Sequence, residues 1–159
     1  MTTIEQKVVK AGKYVSTEHV DSIIRNYKKE RWIQNSDLIG KEDTLGVWLT
    51  ADELEEYVQT AKRLGADGIR LCFGVYGETG CRPGMEGKQT VAFVATKSVE
   101  EADQIVHRDL YAEKGGQKTL VAYNMFPPLP IVPPTTGSAL SHSLGVTLVS
   151  DKQNTMRVI

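Results

Sequence analysis

Apolar positions in this chain recur with two different periods. After Ser16, residues Val20, Ile23, Ile24 and Tyr27 fall at i, i+3, i+4 and i+7, the spacing that lines one face of a helix. Ser16 or Thr17 supplies its N-cap. Glu18 and Asp21 come early, and Arg25, Lys28, Lys29 and Arg31 crowd the end. The helix dipole favours that order, so the basic cluster is read as a solvated helix terminus. Leu45-Gly-Val-Trp-Leu49 predicts a short strand. Thr50-Ala-Asp-Glu53 then spells a capping box, followed by Leu54, Tyr57, Val58 and Ala61 at helical spacing, with Lys62 and Arg63 closing and Gly65 as the stop.

The period then changes to two. In Ile69–Tyr76, alternation places Ile69, Leu71, Phe73 and Val75 on one face, expected to lie under helices, and Arg70, Cys72, Gly74 and Tyr76 on the other. A glycine-rich loop, 77–88, and a strand over Gln89–Thr96 complete a long-looped hairpin. Ser98-Val-Glu-Glu101 has the capping-box spelling and predicts a shorter helix to about His107, with Ala102, Ile105 and Val106 inward. Gly115-Gly116 leads into a short, largely buried strand over Thr119–Met125, and Gly145–Ser150 predicts a last strand. Strands and helices in this order predict an α+β fold of two layers: a mixed, mostly antiparallel sheet with helices mainly on one face.

Val47-Trp48-Leu49-Thr50, the helix start Glu53-Leu54-Glu55-Glu56-Tyr57, the strand Gly68-Ile69-Arg70-Leu71-Cys72-Phe73-Gly74-Val75-Tyr76 and the strand Gln89–Lys97 together resemble a family of short, uncharacterised bacterial proteins. The resemblance spans residues 45–97, about a third of the chain. It implies a bacterial, cytoplasmic setting and brings no activity with it.

Charge adds one feature that periodicity does not show. Residues 1–118 carry 17 Lys/Arg and 19 Asp/Glu, whereas the 32 residues 119–150 carry none, in a chain that is 25% charged overall. Five prolines interrupt that run, so it is no membrane span. Phe126-Pro-Pro-Leu-Pro-Ile-Val-Pro-Pro134 is expected to be extended, because each proline fixes φ and removes a donor. Phe126, Leu129, Ile131 and Val132, with no charge to solvate them, predict a segment that packs on a surface of this chain or of a partner. The expected organisation is an α+β domain over 1–125 and a strap with a final strand over 126–159.

Composition narrows the function. A net charge of −1 removes the basic excess that nucleic-acid or anionic-membrane binding requires. The sequence carries no phosphate-binding GxxxxGK[ST], no dinucleotide GxGxxG after a strand and no GxSxG nucleophile elbow. His19, His107, His142, Cys72 and Cys81 show no metal-ligand spacing, so neither metal nor cofactor is expected. Cys81, beside Arg82 in the glycine-rich loop, is the single candidate nucleophile, and it needs one of the histidines as base. Arg70 and Tyr76, with Trp48, form a candidate ligand-binding face, since an Arg among aromatics takes anionic or planar groups. The expectation is a non-catalytic binding or interaction module that self-associates through its C-terminal segment or meets another protein. The competing reading is a small enzyme or small-molecule binder built on the Arg70/Tyr76 face and the 77–88 loop.

Overall fold

A computed structural model describes residues 10–127, 148–150 and 156–158, and its architecture is α+β. In chain order the helices are α1 (Thr17–Tyr27), α2 (Ile33–Ile39) and α3 (Ala51–Arg63). A π-helical turn covers Lys28–Trp32. The strands are β1 (Gly68–Val75), β2 (Gln89–Glu101), β3 (Gln104–Asp109), β4 (Tyr111–Lys114), β5 (Gln117–Leu120), β6 (Ala122–Tyr123), β7 (Leu148–Ser150) and β8 (Met156–Val158). Every strand pairing among the described residues is antiparallel.

The chain divides into two compact units, one formed by its ends, Met1–Arg31 with Val132–Ile159, the other by Trp32–Ile131. In the first, Ser16 caps α1 by accepting the His19 N–H at 3.2 Å, and Asp21 pairs with Arg25 at 2.6 Å. Lys28, expected on a solvated helix end, is instead buried. Desolvation, reinforced by the nearby Arg25 charge, holds its ammonium below the usual lysine range. β7 pairs with β8 in the same unit.

The second unit is built on β2. Its first part pairs with β1 from Gly68↔Thr96 to Val75↔Gln89. Its last part runs on past β1 and pairs with β3 from Thr96↔Asp109 to Glu101↔Gln104. The helix expected over 98–107 is therefore a hairpin. Ala102 and Asp103 both take positive φ, 48° and 64°, the turn that suits two right-twisted strands. The Asp67 carboxylate takes the Ser98 N–H at 2.9 Å, and Val99 faces Val106 across the ladder. These distant partners override a capping box that exists only as spelling. The strand expected over 45–49 is an extended segment whose Trp48 N–H donates to the Pro127 carbonyl at 3.2 Å. The strand expected over 119–125 is broken into β5 and β6, and Met125 adopts φ 73°.

At Thr50 the capping box is real. Its hydroxyl accepts the Glu53 N–H at 3.0 Å, and the Glu53 carboxylate accepts the Thr50 N–H at 3.0 Å. The helix this starts, α3, lays Tyr57 and Ala61 onto one face of the sheet. Tyr57, Phe93 and Phe126 form the core there, with ring centroids 5.9 Å apart for Tyr57–Phe93 and 4.9 Å for Phe93–Phe126. Ala61, Ala66 and Ala95 form a second, tighter contact. At the other end of the unit, Trp32 is fully buried and its Nε1–H donates to the Asp43 carbonyl at 2.7 Å. The Asp43 carboxylate accepts the backbone N–H groups of Thr44 and Gln89 at 2.8 and 2.7 Å, fixing the start of β2.

One expectation about burial fails. Ile69 packs against the aromatic core, but Leu71, Phe73 and Val75 on the same face are 60%, 83% and 69% exposed. Alternation fixes which side chains share a face; it does not fix how far the covering layer extends. Here the covering layer reaches β2, β6 and Ile69 and stops short of Leu71, Phe73 and Val75 on β1.

Candidate functional site

β1 ends the sheet. The strand order is β1-β2-β3, with β6 on β2, and among the described residues no strand pairs with the outer side of β1. The ladder shows which backbone groups are left over. Ala95 turns its N–H and C=O away from β1, to the Val121 carbonyl and the Leu110 N–H, both at 2.9 Å. Its partner Ile69 therefore directs N–H and C=O to the outer edge, and so do Leu71, Phe73 and Val75 at two-residue intervals. Those are the residues whose side chains form the uncovered apolar stripe. Natural edge strands are blunted by charges, prolines or bulges. This one carries a single charge, Arg70, and no proline.

Arg70 lies on the opposite sheet face and reaches across β2, away from the free edge. Its Nη1 donates to Asp109 Oδ1 at 2.6 Å and its Nη2 to the His107 carbonyl at 2.8 Å. The paired donors that would grip a planar anion are thus spent within the chain, and they tie β1 to β3 over the body of β2. Tyr76 sits six residues along, about 20 Å at strand rise, and its hydroxyl accepts from Thr90 Oγ1 at 3.1 Å. Val47 and Leu49 pack on the covered face, while Trp48 between them is 54% exposed. The structure does not gather Arg70, Tyr76 and Trp48 into one binding face.

Cys81 lies in the 77–88 loop, where its thiol donates to the Gly77 carbonyl at 3.6 Å. His107 is engaged elsewhere, its Nδ1 2.9 Å from Ser98 Oγ. Ser98 is nine residues along β2 from the loop, about 30 Å at strand rise, so His107 cannot serve as the Cys81 base. His19 belongs to the other unit and His142 lies outside the described residues. The Ser98–His107 pair is not visible in the sequence, where the spelling of this segment is that of a helix. It has a nucleophile–base distance, but among the described residues no carboxylate orients the imidazole, since Asp109 is committed to Arg70. Among the described residues no group of three or more His, Cys, Asp and Glu is arranged to hold a metal. Nor is any helix there long and apolar enough to cross a membrane.

Of the four apolar residues singled out in the C-terminal segment, Phe126 lies in this chain's own core, 3% exposed, against Phe93 and Tyr123. Leu129, Ile131 and Val132 lie outside the described residues. Beside Phe126, the Tyr123 hydroxyl donates to Glu53 Oε1 at 3.0 Å. That bond raises the phenol above its ordinary range. The Glu53 carboxyl is held below the usual carboxylate range, first by the Thr50 N–H and then by Tyr123.

No family model, curated protein or solved structure matches this chain. The site has to be read from its own geometry, which offers, among the described residues, an unpaired apolar strand edge and no assembled catalytic group.

Proposed function

We propose that this chain is a non-catalytic interaction module whose docking surface is the outer edge of β1. The observation that carries the reading is the coincidence, on the same residues, of outward-facing backbone groups and exposed Leu71, Phe73 and Val75 side chains. Strand addition to such an edge draws affinity from main-chain hydrogen bonds and specificity from alternate side chains. The resemblance over residues 45–97 supports a bacterial, cytoplasmic setting for that role.

A capped synthetic peptide alternating valine and threonine tests the reading by titration against isotope-labelled protein. The expected result is saturable change at the amides of Ile69, Leu71, Phe73 and Val75, abolished by Phe73→Lys. Absence of change at those four amides, with the protein folded, refutes it.

A further inference from the structure

Resting on that reading, we infer that the strand added to β1 is the β1 of a second copy, antiparallel, with the two-fold axis passing beside Cys72. This register pairs Ile69 with Val75 and Leu71 with Phe73 of the other copy, so all four outward-facing residues of each strand enter the new ladder. Moving the axis by one residue, to Leu71 or to Phe73, leaves one of the four opposite a residue beyond the strand. Because paired residues share a face, the two apolar stripes merge and each copy's exposed Phe73 lies beside the other's Leu71.

Two features of β1 fit a second copy better than an arbitrary strand. The register sets Arg70 opposite Gly74, a position with no side chain, and the Arg70 charge is already answered by Asp109, so two copies meet without like-charge repulsion. Gly74 is also unexplained within its own chain. Its φ is not positive, and a Cβ there would meet only Thr90 Cγ2 at 3.7 Å, an ordinary contact. Glycine inside a strand is unfavourable by itself and marks close approach by another backbone. An eight-residue edge is short, so the pairing is weaker than a permanent dimer and depends on concentration.

Cys72 lies opposite its own copy at a non-hydrogen-bonded position, where Cα atoms stand about 4.5 Å apart, within disulfide reach. The test uses the full chain carrying Cys81→Ser. Diamide takes two electrons and two protons from the paired thiols, forming the Cys72–Cys72 disulfide and a hydrazine. The expected result is a covalent dimer on oxidation and concentration-dependent dimerisation in sedimentation. At a fixed concentration both should fall at least tenfold in Phe73→Lys and Val75→Lys, with the circular dichroism spectrum unchanged. A chain that stays monomeric at high concentration and forms no disulfide overturns the inference, as does a dimer that survives both lysine variants. If that monomer still binds the valine–threonine peptide at β1, only the self-pairing falls; if it binds nothing there, the docking reading falls with it.

Discussion

One face of one sheet behaves in two ways. Over β2 it is covered: Phe93 is buried against Tyr57 from α3 and Phe126 from the chain's return. One strand away, Phe73 stands in water with most of its surface exposed. The two phenylalanines lie on neighbouring strands, on the same side of the sheet. Only the covering layer differs, so exposure here is a property of where α3 and the 126–127 turn lie. An apolar stripe that the chain's own layer leaves bare is what a docking strand needs.

Emptying the covered half should be the most damaging change. Phe93→Ala or Phe126→Ala removes an aromatic ring from a packed cluster and should cost about 3–5 kcal/mol, a large share of a typical domain's ~5–15 kcal/mol. Thermal or urea unfolding of the two variants checks this; a loss no larger than that of an exposed-site alanine would mean the cluster is not the core.

Asp43→Ala comes next. It leaves the Thr44 and Gln89 N–H groups without the carboxylate that holds the start of β2. Losing a buried acceptor of this kind should cost ~1–3 kcal/mol. Unfolding should show the loss, and hydrogen exchange should show it concentrated at the Gln89 amide.

A smaller effect is expected at the cap. Thr50→Ala should cost about 1 kcal/mol, read from the unfolding midpoint. The attached Glu53–Tyr123 hydrogen bond gives it a pH signature. Glu53 is depressed in the folded state, so its contribution is present above the ordinary glutamate range and disappears as pH falls through the lower folded value. Tyr123 is raised, so its contribution holds below the ordinary tyrosine range and disappears as pH rises through the higher folded value. The stability gap between wild type and Tyr123→Phe should therefore be level near neutral pH and narrow at both extremes. A gap independent of pH would remove the hydrogen bond from the account.

Local signals predicted those elements whose stabilising contacts are local. The Thr50–Glu53 cap and the Ile69–Thr96 hairpin form as spelled. Ser98-Val-Glu-Glu101 has the same spelling as a cap but lies in β2, because Asp67 and the Val106 strand compete for it from far along the chain. The same long-range pairing hides Asp109 as the Arg70 partner, since helical spelling over 98–107 puts that residue beyond the end of a helix. The role of Asp43 was equally invisible: the N–H it binds at Gln89 is 46 residues away. The β1 edge was half legible. Alternation identified the apolar stripe correctly, and its exposure depended on where α3 lies, which no local pattern encodes.

The uncovered half should tolerate a change that the covered half does not. Phe73→Thr keeps a residue that suits a strand and removes a ring that its own chain does not cover, so in dilute solution the unfolding midpoint should move by no more than about 0.5 kcal/mol. The same substitution in the covered half would be severe. If β1 pairs with a second copy, the wild-type midpoint rises with protein concentration, because association adds stability by mass action, while Phe73→Thr stays flat. The gap between them should open as concentration rises and close on dilution. A constant gap of a kcal/mol or more at every concentration would show that Phe73 is covered within its own chain, and the contrast between the two halves of the face would disappear.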